Sequence, residues 1–346
     1  MYQPRYTISP FLLKTITQIT ELRSWILKST VDVPWVSHLQ RETTSRTAHA
    51  STAIEGNPLS LSEVEALARG EELGGVPTIE NEVKNYLEAL RWIQNKNRKI
   101  TEKNLLNLHR IVTKNLLDIE KSGKYKIQNN RIIDHKRYTL YTPPPADQTQ
   151  LITQNLVQWI TEKETKILHP LIISAIAHHQ LVSIHPFTDG NGRTSRLLAL
   201  WIFYQFNFDT HHILAMDDYF QSDRKKYYTM LQQVRDLDHD LTFWIEYVSI
   251  GMLEVLERTK KRIESLKISE LSSKIRLNKT QETILRILRD KGRIKSQEIQ
   301  TLFSISRARA SQLLKPLADS NLIIREGSTR STTYRIAENQ DFIMSE

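Results

Sequence analysis

The chain has 346 residues, 39% of them hydrophobic and 25% charged, the balance of a globular protein with a sizeable core. It contains no cysteine, which excludes disulfides, thiol catalysis and cysteine-ligated metals. Its net charge of +9 is unevenly placed: residues 277–337 hold 12 Lys and Arg against 5 Asp and Glu, and the remainder is close to neutral. The apolar spacing predicts a mainly helical chain. Leu61, Val64 and Leu67 recur at helical intervals over 59–67, and Val83, Tyr86, Leu87, Leu90 and Ile93 do so over 79–94. Leu105, Leu108, Ile111 and Val112 mark a helix over 101–116, and others are expected at 150–160, 171–184, 195–206, 225–234 and 241–260. The Ile- and Tyr-rich stretch 126–141, with Asn129-Asn130 near its start and Pro143-Pro144-Pro145 behind it, reads as a hairpin or extended flap.

A polar stretch over 264–274 reads as a linker. Beyond it, helices at 279–290, 296–303 and 306–319 precede an alternating, arginine-bearing hairpin over 323–336, the order of a winged helix-turn-helix. There Arg307, Arg309 and Gln312 open the recognition helix and Arg330 lies on the hairpin, so these four are candidate DNA contacts. A basic excess gathered into one terminal module points to a polyanionic partner. No run of about 18 apolar residues occurs, so no membrane partner is expected. Met1-Tyr2-Gln3-Pro4-Arg5 lacks the layout of a secretory signal, and a cytoplasmic location is expected.

The densest chemistry lies in His185-Pro186-Phe187-Thr188-Asp189-Gly190-Asn191-Gly192-Arg193-Thr194-Ser195-Arg196. Gly190 and Gly192 permit backbone torsions that turn successive amides into an anion-holding nest. That nest opens a helix, whose free N–H groups and dipole favour phosphate. Asp189 offers a hard oxygen suited to Mg²⁺, Arg193 and Arg196 sit three apart for phosphate clamping, and His185 is placed to act as a general base. Nucleotide phosphate, metal and base together describe a group-transfer site. Upstream, Ser51 and Glu55 share one helical face, Gly56 suits a left-handed helix end and Pro58 stops continuation. A glutamate in the last turn opposes the helix dipole and needs a cation from elsewhere.

The segment 185–196 resembles the Fic family signature His-x-Phe-x-Asp/Glu-Gly-Asn-Gly-Arg-x-x-Arg at every fixed position. Leu168-His169-Pro170-Leu171, Ala175 to Gln180 and the flap with Thr142-Pro143-Pro144-Pro145 resemble that family too, as does Ser51-x-x-x-Glu55-Gly56, its inhibitory motif. The resemblance implies a Fic helical fold with a short β-hairpin flap, followed by a small winged-helix domain. It implies an N-terminal helical region (1–95) with an inhibitory helix at about 46–56, and a core (96–262) with the flap at about 124–142 and the catalytic loop at 185–196. A linker (263–274), the winged helix (275–337) and a tail (338–346) follow. The implied activity is protein adenylyltransfer, moving AMP from ATP with Mg²⁺ onto a Tyr, Thr or Ser hydroxyl of a target protein or of the chain itself.

In that reading His185 deprotonates the hydroxyl, Phe187 anchors the loop and Asp189 holds the metal. Gly190, Asn191, Gly192, Arg193, Thr194, Ser195 and Arg196 hold the nucleotide, and Tyr228 lies by its base. Gly192 sides with AMP transfer, since a kinase-like branch of the family carries Lys there. Glu55 pairs with Arg196 and inhibits. Gly123-Lys124-Tyr125-Lys126 departs from the Gly-x-Tyr-Arg frequent in relatives. A homodimer and DNA binding through the C-terminal module are also expected. Removal of AMP, or a DNA-binding regulator with a nucleotide-sensing Fic domain, stand as alternatives.

Overall fold

The structure, a computed structural model, describes residues 2–30, 35–95, 97–133, 138–275, 277–320, 322–327 and 332–337. Arg330, the flap tip at 134–137 and the tail at 338–346 lie outside the described residues. The chain divides into two compact units, Met1–Lys260 and Lys261–Glu346.

The first unit is built of helices whose starts are written in local capping chemistry. Ser9 accepts from Leu12 N and Pro10 opens α1 (Pro10–Ser29). After α2 (Val36–Ile54), Ser60 and Glu63 form a capping box on α3 (Leu61–Ala68), Pro77 opens α4 (Pro77–Ile93) and Thr101 caps α5 (Glu102–Val112). The flap is an antiparallel pair, β1 (Ile132–Ile133) and β2 (Thr139–Tyr141), with Ile132 opposite Tyr141 and Ile133 opposite Thr139. It leads into α6 (Ala146–Thr161).

The centre is a helical hairpin. α7 (Pro170–Ile184) is apolar on all sides and nearly every residue in it is buried, as a helix enclosed by others must be. It packs along α8 (Asn191–Gln205). α9 (Met216–Ser222) and α10 (Arg224–Asp236) follow, and α2 lies against α4 and α9. Trp201, Trp244, Tyr86, Tyr227 and Phe187 are the largest fully buried side chains. Trp244 donates its indole N–H to Ala175 O at 2.7 Å, so the aromatic core is tied to α7. The helix α9 escaped the apolar spacing because seven residues are too few to display a period.

The expected linker is a correction. α11 (Thr242–Ile275) runs unbroken through 263–274, because that polar stretch holds neither Gly nor Pro to stop a helix. The second unit then forms α12 (Lys279–Lys291), β3 (Arg293–Lys295), α13 (Ser296–Phe303), α14 (Arg307–Asp319), β4 (Ile323–Glu326) and β5 (Thr333–Ile336). Its strands pair antiparallel in the order β3-β5-β4 around a core that includes Ile284, Leu288, Leu314 and Leu317. β3 is an addition to the expected hairpin: three residues leave no readable alternation.

Candidate active site

The loop between α7 and α8 is held by its own side chains. Phe187 N donates to Asn191 Oδ1 and Asn191 Nδ2 donates to Phe187 O, both at 2.9 Å, closing a ring over the turn. The Phe187 ring is fully buried and stacks on His109 of α5 at 3.8 Å between centroids and 10° between planes. His109 Nε2–H donates to Asp189 O at 2.9 Å while its Nδ1 accepts from Gly123 N at 3.0 Å. One neutral imidazole thus bridges the catalytic loop and the segment leading to the flap. Burial pushes His109 down to about 4, which keeps it neutral.

His185 ends α7 in a left-handed conformation, φ 49°. Its Nδ1 faces Val182 O at 3.3 Å. A carbonyl only accepts, so Nδ1 carries the proton and Nε2 keeps a free lone pair. Burial, with Lys126 and Arg235 nearby, lowers its pKa to about 4. The imidazole therefore stands neutral at pH 7, as a proton acceptor requires.

Gly190 caps α8 with φ 77°, and a Cβ there would fall 2.8 Å from Thr113 Cγ2, so both torsion and space demand glycine. Thr194 N reaches Gly190 O, whereas the first-turn amides of Asn191, Gly192 and Arg193 precede any carbonyl of their own helix. These three are the amides that the sequence marks as a candidate anion site. The side chain of Asp189 is 65% exposed at its mouth. Among the described residues no group of three His, Asp or Glu could hold a metal ion, so a cation at Asp189 must draw its other ligands from phosphate and water, which fits Mg²⁺.

Not every expected residue reaches this site. The Thr194 and Ser195 hydroxyls are buried and donate to Gly190 O and Asn191 O, each at 2.8 Å, so only their backbone belongs to the nest region. Arg193 is turned beneath the loop: Nη1 lies 2.7 Å from Glu82 Oε1 on α4 and Nη2 3.7 Å from Asp189 Oδ1. Tyr228 is half-exposed, with its hydroxyl 3.4 Å from Ile54 O at the end of α2. The other histidines of α7, His178 and His179, lie in the core and bond Tyr227 Oη and Leu231 O.

Arg196 is the most enclosed charge. It donates from Nε to Ser51 Oγ at 2.7 Å and from Nη2 to Ser51 O at 2.9 Å and Glu55 Oε1 at 2.8 Å. Glu55 lies over Gly192, where a Cβ would fall 2.2 Å from its Oε1. Gly56, φ 100°, ends the helix in the left-handed torsion its sequence position called for. The spacing of Ser51 and Glu55 had signalled one face and a missing cation; the fold supplies that cation 141 residues later.

The flap is bolted to the loop. Lys126 N donates to Pro186 O at 2.9 Å, and Lys126 Nζ donates to Asn130 Oδ1 at 2.8 Å. Burial lowers the Lys126 ammonium to about 8. His109, Glu82 and Lys126 were not legible as site residues. His109 interrupts the apolar spacing of α5 and Lys126 stands where relatives carry Arg, and those were the available signals.

Comparison with known proteins bears on the family and the fold. The Fic/DOC family model matches residues 99–203 and the MarR family model residues 277–331. The protein adenylyltransferase Fic of Nematostella vectensis is 33% identical over 194 residues, 54% of this chain and 42% of its own. Protein adenylyltransferase fic-1 of Caenorhabditis briggsae is 31% identical over 245 residues, 69% of this chain and 45% of its own. The chain thus spans less than half the length of these curated relatives. Among solved structures, a Fic family protein from Desulfovibrio desulfuricans G20 covers 98% of this chain and 100% of its own at 25% identity, with a TM-score of 0.66. Fic-1 from C. elegans covers 73% of both chains at 27% identity, with a TM-score of 0.62. With the signature loop, the helical hairpin that presents it and these matches in agreement, the chain belongs to the Fic/DOC family and carries a C-terminal winged helix of the MarR type.

Proposed function

We propose that this chain transfers AMP from ATP to a hydroxyl of a target protein and that Glu55 holds it inhibited. The observation that carries the reading is His185 at the end of α7 with its proton on Nδ1, which leaves Nε2 an acceptor on the same loop that leads into the first turn of α8. His185 Nε2 takes the proton as the hydroxyl oxygen bonds to the α-phosphorus; the bond to the β-bridging oxygen breaks and pyrophosphate leaves. The amides of Asn191, Gly192 and Arg193 hold phosphate oxygens. Asp189 holds Mg²⁺, which offsets phosphate charge. Arg196 is the clamp for the terminal phosphate, and Glu55 occupies it at 2.8 Å.

The test is labelling with ATP carrying a radioactive α-phosphate. Glu55→Gly is expected to raise incorporation at least tenfold over the parent chain, and Glu55→Gly/His185→Ala to lose it by on the order of a hundredfold or more. Equal labelling with and without His185 would overturn the assigned base. A Glu55→Gly protein no faster than its parent would overturn the inhibition.

A second activity has its own support. Arg307, Arg309 and Gln312 are exposed at the start of α14, in the helix that winged-helix proteins lay in the major groove. We read this unit as a duplex DNA binder, checked by the salt dependence of its affinity.

A further inference from the structure

α4 looks from its sequence like an ordinary amphipathic helix, yet it presents two polar side chains, Glu82 and Tyr86, to the inhibitory segment. Glu82 Oε1 lies 2.7 Å from Arg193 Nη1 in the catalytic loop. Its other oxygen, Oε2, accepts from Asn57 Nδ2, also at 2.7 Å. Asn57 follows Glu55 by two residues, and its orientation is fixed twice more: Nδ2 donates to Ile79 O at 3.0 Å and Oδ1 accepts from Leu59 N at 3.1 Å. One turn along α4, Tyr86 donates to Asp217 at 2.8 Å and also bonds Ser51. The helix therefore grips the inhibitory segment on both sides of Glu55, and on one side the gripping carboxylate is shared with the loop.

We infer that Glu82 is a positioning residue that couples the inhibitory segment to the catalytic loop, holding Asn57 and Arg193 on the two oxygens of one carboxylate. One client, Asn57, donates a hydrogen bond; the other, Arg193, meets its oxygen as an ion pair, with no hydrogen bond from Nη1. A carboxylate serves a donor and a cation at once, whereas the neutral amide of a glutamine keeps one acceptor oxygen and gives up the charge that pairs with Arg193. The side chains of Arg193 and Glu82 are 6% and 16% exposed, so water is a poor substitute for either contact. With Asn57 held, Glu55 stays over Gly192; with Asn57 released, the helix end that carries Glu55 loses its anchor to α4. This inference rests on the reading of Glu55 as an inhibitor that competes with ATP.

The experiment is a double-mutant cycle on the full chain, read as the Kd of an ATP analogue with a methylene between the α- and β-phosphates. Asn57→Ala is expected to tighten binding about fivefold in the parent chain, the usual size of coupling between contacting groups. In Glu55→Gly or in Glu82→Gln it is expected to change binding by less than about twofold, because the anchor then has nothing to hold or nothing to hold to. Glu82→Asp, one carbon too short to span both clients, gives the same cycle should the Gln variant not fold. A fivefold Asn57→Ala effect that persists in the Glu82 variants, or in Glu55→Gly, would show Glu82 to be a structural ion pair only and overturn the coupling. Failure of Glu55→Gly itself to bind the analogue would overturn the nucleotide reading, and the coupling with it.

Discussion

Arginine is used in two opposite ways in this molecule. In the first unit, Arg196 and Arg193 are 2% and 5% exposed and meet carboxylates at 2.7–2.8 Å. In the second, Arg307 and Arg309 stand in solvent on the first turn of α14, Arg309 reaching Gln312 at 3.1 Å. A buried arginine has its geometry fixed in advance and must exchange one anion for another, so an incoming phosphate competes with the carboxylate already in place. An exposed arginine has no such rival beyond counterions, so it gains less per contact and responds strongly to salt. Preorganised selectivity and diffuse attraction thus come from the same side chain, and burial decides which.

The sharpest way to break that contrast is to remove the arginines and measure stability. Arg196→Met leaves Asp217, a buried carboxylate that burial raises and Arg196 steadies, without its cation. It is expected to cost about 3 kcal/mol in thermal unfolding, whereas Arg307→Ala should stay within about 0.5 kcal/mol. Equal costs would end the distinction.

A second test uses pH. Burial lowers His109 to about 4 and His179 to about 3, and both are at most 2% exposed. The unfolded chain titrates near 6.5, so below that pH it binds protons that the folded core refuses. Stability falls with pH from about 6.5 toward 4, by up to ~1.4 kcal/mol per unit for each such histidine. Residues 277–337 contain no histidine. Calorimetry between pH 7 and 5.5 should therefore show the first unit's transition moving down while the second unit's holds still; parallel movement would contradict it. The smallest effect sharpens the exposed side. Arg307→Ala and Arg309→Ala should each reduce the slope of log affinity for duplex DNA against log salt by roughly 0.9, and an unchanged slope would place those side chains off the phosphates.

What the sequence made legible divides along similar lines. The loop 185–196 was readable because each of its constraints is local: Gly190 needs φ 77°, Asn191 closes a four-residue ring, and the helix start supplies its own amides. Ser51, Glu55 and Gly56 were readable because a helix face and a helix end are local too. Glu82 was not, since Asn57 and Arg193 lie 25 and 111 positions away and only the packing of α2, α4 and α8 brings them to one carboxylate. His109 and Lys126 belong to the same class. The supposed linker erred in the other direction: polarity does not by itself separate a helix from a loop, and that stretch holds neither Gly nor Pro to stop one.

The contact between Glu55 and Gly192 carries one more consequence. A carboxylate resting where even a methyl group would fall 2.2 Å away leaves no room for a second group, so on the proposed reading occupancy by Glu55 and by phosphate is mutually exclusive. Glu55 then behaves as a tethered ligand, present at an effective concentration that no dilution lowers. If the closed form outweighs the open by about a hundred to one, the nucleotide's apparent affinity falls by about the same factor. On the proposed reading, the resting state is set by the strength of a few anchoring bonds, and whatever loosens them acts on the nucleotide threshold without touching the nucleotide.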